Sequence, residues 1–371
     1  IVVSQYFGSS DEENVKNTIG NAIWAISICS VLMSLVGFFL ARPALVLMNT
    51  DPAILEDAVI YLKVTAIGFI CVGMYNGVSS ILRALGDTKT PLTFLIVASL
   101  INVVLDLLFV LVFKWGVVGV AVATAFAQLI SAVACIIYAV KCTTFFRLTK
   151  ENLKIKKAIL YKCLQLGIPV ALQNALIAVS LIVLQGVVNG FGATFTTAFT
   201  VVARIEQLVQ QPFMSLGSAI STFTGQNMGA GKIDRIGKGL KSAVLMGWGV
   251  SIICFLIAVL FGKQLTTLFV DASETTIISY SYQFLLYCTG VYCLLTLVNT
   301  VRFTIQGMGF SVFAILSGIM EMIARILAAT VVVQMIGFAG TCLAHPMAWL
   351  FADVFLIPAF FWCRKKVAKQ G

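Results

Sequence analysis

Gln5-Tyr6-Phe7-Gly8 returns in altered form as Gln226-Asn227-Met228-Gly229. The second copy begins 221 residues after the first, and the same offset joins Tyr61 to Tyr282 and Gly116 and Gly119 to Gly337 and Gly340. An echo held over that distance marks two copies of one unit. Around Arg83-Ala84-Leu85-Gly86 and Gln306-Gly307-Met308-Gly309 the offset becomes 223, as a two-residue insertion between helices would give. In a chain that is apolar almost throughout, two related halves imply a transport path between them.

The solvent for most of the chain is lipid. Hydrophobic residues make up 60% of the 371 and charged residues 11%, and the mean hydropathy is +1.01. A soluble domain carries roughly 25% charged residues. Ten apolar runs of membrane-spanning length recur: about 17–41, 58–82, 91–113, 117–140, 165–190, 195–224, 240–262, 277–301, 310–333 and 338–362. Membrane-barrel strands would alternate over about ten residues, whereas these runs are longer and apolar on every side. The fold class expected is an all-α integral membrane protein.

A net charge of +10 could suggest nucleic acid, but its distribution excludes that partner. Eighteen Lys and Arg lie in alternate connections: Lys16, the 83–89 turn, the 141–162 segment, the 232–241 segment and the 364–369 tail. Three (Arg42, Lys114, Lys263) lie in the others, and four (Lys63, Arg204, Arg302, Arg325) fall inside apolar runs. This asymmetry is the positive-inside pattern, which places the basic loops and the C-terminus in the cytoplasm of a multi-pass cell-membrane protein. Ten scattered cysteines without a Cys-x-x-Cys pair read as small buried hydrophobes, and one histidine argues against a His-based metal site. Gly225–Lys232 lacks the first Gly and the final Ser/Thr of a phosphate loop. No nucleophile–base grouping supports hydrolysis. An enzyme, a resident cofactor and a bound metal are therefore not expected.

The basic segment divides the chain into an amino-terminal lobe (1–145), a linker (146–164) and a carboxyl-terminal lobe with a basic tail (165–371). The second half has two helices before its Gln226 motif, and the first has only a helix end before Gln5. Symmetry therefore expects a first helix and most of a second to precede Ile1, with twelve spans in the whole. Six spans per half put the pseudo-two-fold axis along the membrane normal.

Asp106 is the sharpest candidate for chemistry. A carboxylate at the centre of a spanning helix costs about 2.5–3.5 kcal/mol on insertion scales. Asn102, four residues earlier, shares its face. Asp106 and Thr124 lie nine residues either side of Trp115, so a tight hairpin sets them at one depth; Tyr61 reaches a comparable depth. Two jobs are open to such a carboxylate: exchanging a proton, or binding Na⁺ among oxygen ligands. A hydrogen-bonded structural aspartate is the alternative. In the second half, Glu321 and Arg325 are four apart and read as an internal ion pair or a coupling element. Arg204 and Glu206 lie on different sides of their helix and are candidates either to face a central cavity or to partner Glu321 and Arg325. Asp353 has no evident partner, and His345-Pro346 reads as a helix irregularity.

The sequence resembles the multidrug and toxic compound extrusion (MATE) family. The likeness is carried by Gly167-Ile168-Pro169, Val188-Asn189-Gly190-Phe191-Gly192-Ala193 and Gly225-Gln226-Asn227-Met228-Gly229-Ala230-Gly231-Lys232. In the first half it rests on Gln5–Gly8, Arg83-Ala84-Leu85-Gly86-Asp87-Thr88 and Gly116-Val117-Val118-Gly119. The resemblance implies twelve helices in two six-helix lobes around a V-shaped cavity. It also implies export of amphipathic, often cationic compounds, by a monomer, in exchange for H⁺ or Na⁺. The family's amino-lobe cation site falls here on Tyr61, Asn102, Asp106 and Thr124. The key acid of the family's first helix lies outside this chain, and the seventh-helix glutamate of one branch has no counterpart in 165–190. Coupling through the amino lobe is therefore expected. The rival readings are a flippase for lipid-linked oligosaccharides, whose cavity should be rich in Arg and Lys, and a non-transporting fragment or scaffold.

Overall fold

The structure, a computed structural model, describes residues 1–48 and 50–369. Among these the chain is helical, with no strand. It divides into two compact units, Val2–Cys163 and Leu164–Gly371, with Ile1 grouped with the second. In the first unit a short α1 (Val2–Gly8) leads into α2 (Glu12–Leu47), α3 (Pro52–Ala84), α4 (Lys89–Leu107) and α5 (Gly116–Cys142). The second unit holds α6 (Lys157–Asn189, whose first turns belong to the first unit), α7 (Ala193–Val209), α8 (Gln211–Gly229) and α9 (Ile233–Thr267). It continues with α10 (Thr275–Gly290), α11 (Tyr292–Gly307), α12 (Val312–Leu327), α13 (Val333–Ile336) and α14 (Phe338–Ala368).

Among the described residues eight helices are long and apolar enough to cross a membrane, or nine when α10 and α11, bent by 48° at Val291, count as one span. The expected run 195–224 differs: it is split at Gln210 into α7 and α8. Pro212, in the first turn of α8, cannot donate the backbone bond that a continuous helix would need there. Large apolar side chains such as Leu100, Val104, Ile252 and Leu260 stand exposed. Helix contacts are instead made through small residues, for example Ala66 and Gly68 of α3 and Ala121, Ala123 and Ala127 of α5. Small residues let helix backbones approach where lipid removes the hydrophobic drive to associate.

The repeat is visible in the backbone. After α1, Ser9 N donates to Gln5 O (3.1 Å) and Asp11 N to Tyr6 O (3.1 Å); after α8, Ala230 N donates to Gln226 O (3.0 Å) and Lys232 N to Asn227 O (2.8 Å). Ser10 and Gly231 turn the corner in the left-handed region, at φ 58° and 68°. A π-helical turn follows α4 at Leu108–Val112 and another follows α12 at Ala328–Val332. Matching local geometry at nearly the same offset is what a duplicated unit produces.

The basic segment packs against α2 rather than standing free. Asn152 Nδ2 donates to Asn17 Oδ1 (2.9 Å), Lys156 N to Asn21 Oδ1 (2.9 Å), and Trp24 Nε1 to Leu153 O (3.0 Å). Gly20 makes room for this contact, since a Cβ there would lie 2.2 Å from Asn152 O.

Candidate functional site

Polar residues gather inside the helices of both units. The first group is built on the α4–α5 hairpin. After the π turn the chain reverses through Phe113, Lys114 and Trp115, with Phe109 stacked on Trp115 (ring centroids 5.0 Å) and Trp115 N bonded to Phe109 O (2.9 Å). Asn102 Nδ2 donates to Thr124 Oγ1 at 3.5 Å, and Thr124 Oγ1 donates to Val120 O at 3.0 Å. The residue opposite Thr124 is thus Asn102, one helical turn from Asp106. The π turn at Leu108–Val112 lies between Asn102 and the reversal and shortens the rise on the α4 side, in the direction of this offset. Asp106 is half-buried. Its Oδ1 is enclosed and accepts no hydrogen bond, which is rare for a buried polar atom and demands an explanation. Tyr61 stands half-buried on α3 and makes no hydrogen bond to these three. The structure therefore brings Asn102 and Thr124 together, places Asp106 one helical turn from Asn102, and shows no hydrogen bond from Tyr61 to any of them.

The second group lies wholly in the carboxyl unit. Glu321 of α12 receives Arg302 from α11 on Oε1 and Arg325, one turn along α12, on Oε2 at 3.0 Å. Arg325 Nη1 also donates to Ser180 Oγ of α6 (3.0 Å), and Arg302 Nε to Ser317 Oγ (3.1 Å). Gln173 lies against the Arg302 guanidinium; with its carbonyl oxygen turned inward it accepts from Nε (3.2 Å) and Nη1 (2.9 Å). All three charged side chains are at most 7% exposed, so water cannot replace a lost partner. Asp353 of α14 is buried with neither carboxylate oxygen hydrogen-bonded, within electrostatic reach of Arg302 and Glu321.

Glu206 faces the interior from α7, receiving Tyr292 Oη at 3.4 Å, with His345 Nε2 at 3.9 Å. Arg204 stands on the exposed side of the same helix, beside Thr196, Thr200 and Phe269. It joins neither Glu321 nor Arg325. Pro346 lies inside α14 without ending it, and His345 rests between Phe284 and Trp349. Arg302 is the functional-looking residue that pattern reasoning left unassigned. The signal was present: an arginine in an apolar run needs an acidic partner. Among the described residues no group of three or more His, Cys, Asp or Glu is arranged to hold a metal ion.

Apolar helical spans and a duplicated unit together define an all-helical membrane-protein fold. The MatE family model matches residues 1–108 and 169–331, and the chain belongs to that family of membrane transporters, which are not enzymes. It is 30% identical over 285 residues to the probable multidrug resistance protein YpnP of Bacillus subtilis strain 168, covering 76% of this chain and 63% of that protein. It is 27% identical over 287 residues to the probable multidrug resistance protein YoeA of the same organism, covering 76% and 62%. The chain thus spans less than two thirds of the length of these relatives. The multidrug export protein MepA of Staphylococcus saprophyticus is 22% identical over 322 residues, covering 85% and 70%. Among solved structures, a multidrug resistance MATE family transporter in an outward-facing conformation superposes with a TM-score of 0.90 at 20% identity. The match covers 99% of this chain and 82% of that one. A MATE crystal structure in the bent conformation gives 0.88 at 20% identity, over the same shares. At that identity the likeness speaks for the fold.

Proposed function

We propose that the whole protein is a cation-coupled antiporter of the cell membrane. It exports small amphipathic, often cationic compounds by alternating access, in exchange for H⁺ or Na⁺ bound at Asp106. One observation carries the reading: Asp106 Oδ1 is enclosed, has no hydrogen-bond donor, and lies one turn from the Asn102–Thr124 pair. A carboxylate so placed is stabilised when a proton or a hard cation arrives and destabilised when it leaves. Asn102, Thr124 and Tyr61 supply the oxygens that would complete the site. Coupling follows if the ion and the exported compound each prefer a different state. The names of the Bacillus and Staphylococcus relatives support a drug-like cargo. The excess of Lys and Arg in alternate connections supports a cytoplasmic C-terminus, and a monomer suffices for the site.

The flippase reading needs free basic side chains for a pyrophosphate. Arg302 and Arg325 are both bound to Glu321, which leaves few basic side chains inside the spans for a pyrophosphate and favours the antiporter. The test expresses the whole-length protein in a pump-deficient bacterium and follows ethidium or norfloxacin efflux. Asp106→Asn should abolish efflux while leaving expression intact; unimpaired efflux would end the coupling proposal. Collapsing the proton gradient, then replacing Na⁺, identifies the ion.

A further inference from the structure

A groove of about 450 Å³ runs between α8 and α9 and belongs to neither polar group described above. Its walls change character along their length. At one end stand Arg235, Lys238 and Ser242, at i, i+3 and i+7 of α9 and therefore on one face. Beyond them the lining is apolar: Leu216, Ile220 and Phe223 from α8, Ala243 and Met246 from α9. Arg235 and Lys238 are exposed, and neither has a carboxylate partner among the described residues. The nearby acid, Asp234, faces Arg364 at 3.8 Å. Gly239 gives the channel its floor, and a Cβ there would meet the Phe223 ring at 2.3 Å.

We propose that this groove holds an anionic phospholipid, its phosphate against Arg235 and Lys238 and one acyl chain along the apolar channel. Charge complementarity selects this occupant. Two unpaired cations at the mouth would repel an amphipathic cation, and a phosphate answers both with charge-assisted hydrogen bonds. Their position in the first turns of α9, with the exposed Leu245, Ile252 and Ile253 following, matches a headgroup-to-chain boundary. Basic pockets between spanning helices are suited to anionic headgroups for this reason. The inference requires the membrane-spanning fold and does not depend on the export reading.

The test is native mass spectrometry of the whole-length protein released from detergent and titrated with phosphatidylglycerol or phosphatidylcholine. Phosphatidylglycerol is expected to bind at clearly lower concentration. Arg235→Ser with Lys238→Ser should weaken it roughly 30-fold, since each basic side chain near a membrane surface contributes about tenfold or less, and should leave phosphatidylcholine unchanged. Ala219→Trp, at an exposed position of the lining, should remove both lipids by filling the channel. Lys238→Arg should retain wild-type preference. Equal affinity for the two lipids, or unchanged phosphatidylglycerol binding in the double serine variant, would overturn the proposal. The serine variants change solvent-facing residues only, so the result stands even if Ala219→Trp fails to fold.

Discussion

Replacing Glu321 with Gln keeps the shape of the side chain and removes its charge. Arg302 and Arg325 then face each other's surroundings with no ionised partner on α12, and with 7% and 4% of their side chains exposed they cannot recover solvent. Removing one member of a buried pair costs about 3–5 kcal/mol. Ser180, Ser317 and Gln173 still accept from the guanidiniums, so the lower end of that range applies. For a unit of this size about 1 kcal/mol moves the melting midpoint by roughly 2–4 °C. Glu321→Gln should therefore lower it by roughly 6–12 °C in a thermal unfolding series on the detergent-purified protein. Converting Arg302, Glu321 and Arg325 together to Met should restore most of the loss, because a buried ionic triad is replaceable by apolar residues of similar volume. A Glu321→Gln shift under about 2 °C would show that the triad does not hold the unit together as described.

Gly20→Ala drives a methyl group into Asn152 O. It should cost about 1–3 kcal/mol and free the basic segment from α2, read as faster proteolysis between Lys150 and Lys157. Thr124→Ala removes two hydrogen bonds of the hydroxyl, the long one from Asn102 and the one to Val120 O, worth about 0.6 kcal/mol each; it should lower the melting point by only a few degrees yet impair coupled efflux, which separates a site role from a structural one. Asp87 lies in the turn between α3 and α4. Burial alone would raise its pKa, but hydrogen bonds from the Thr90 main chain and side chain, Tyr138 and Lys89 outweigh burial and hold it below the ordinary carboxylate value. Its native-state pKa is thus depressed, so its stabilising contribution is complete above the unfolded-state value and is lost as pH falls through the lowered one. Melting curves between neutral pH and pH 3 should show Asp87→Asn with a flatter acid limb than wild type.

Most spans were legible because a helix in lipid must be long and apolar, and composition alone records that. The break at Gln210 was not: the run 195–224 is apolar on average, and only Pro212 hinted at a second helix start. Glu321 with Arg325 could be read from a spacing of four. Arg302 with Glu321 could not, because it depends on how α11 turns through Met308–Ser311 into α12, and single-sequence spacing does not fix that register. The π turns after α4 and α12 carry no residue signature, so counting residues from Trp115 does not show that the hydrogen-bond partner of Thr124 is Asn102. Arg204 was grouped with the carboxyl network because its charge was visible and its exposed face was not. The family resemblance located the same four amino-lobe residues that depth had gathered; their geometry is now partly seen, in the Asn102–Thr124 contact and the unpartnered Asp106 oxygen.

The central claim is that an ion comes and goes at Asp106. Its most direct measurement is ion release from the purified whole-length protein on adding ethidium, followed with a pH-sensitive dye in weak buffer and with a Na⁺ electrode. The wild type should release H⁺ or Na⁺ as substrate saturates, and Asp106→Asn should bind substrate and release neither. Equal ion release from the two proteins would contradict the account.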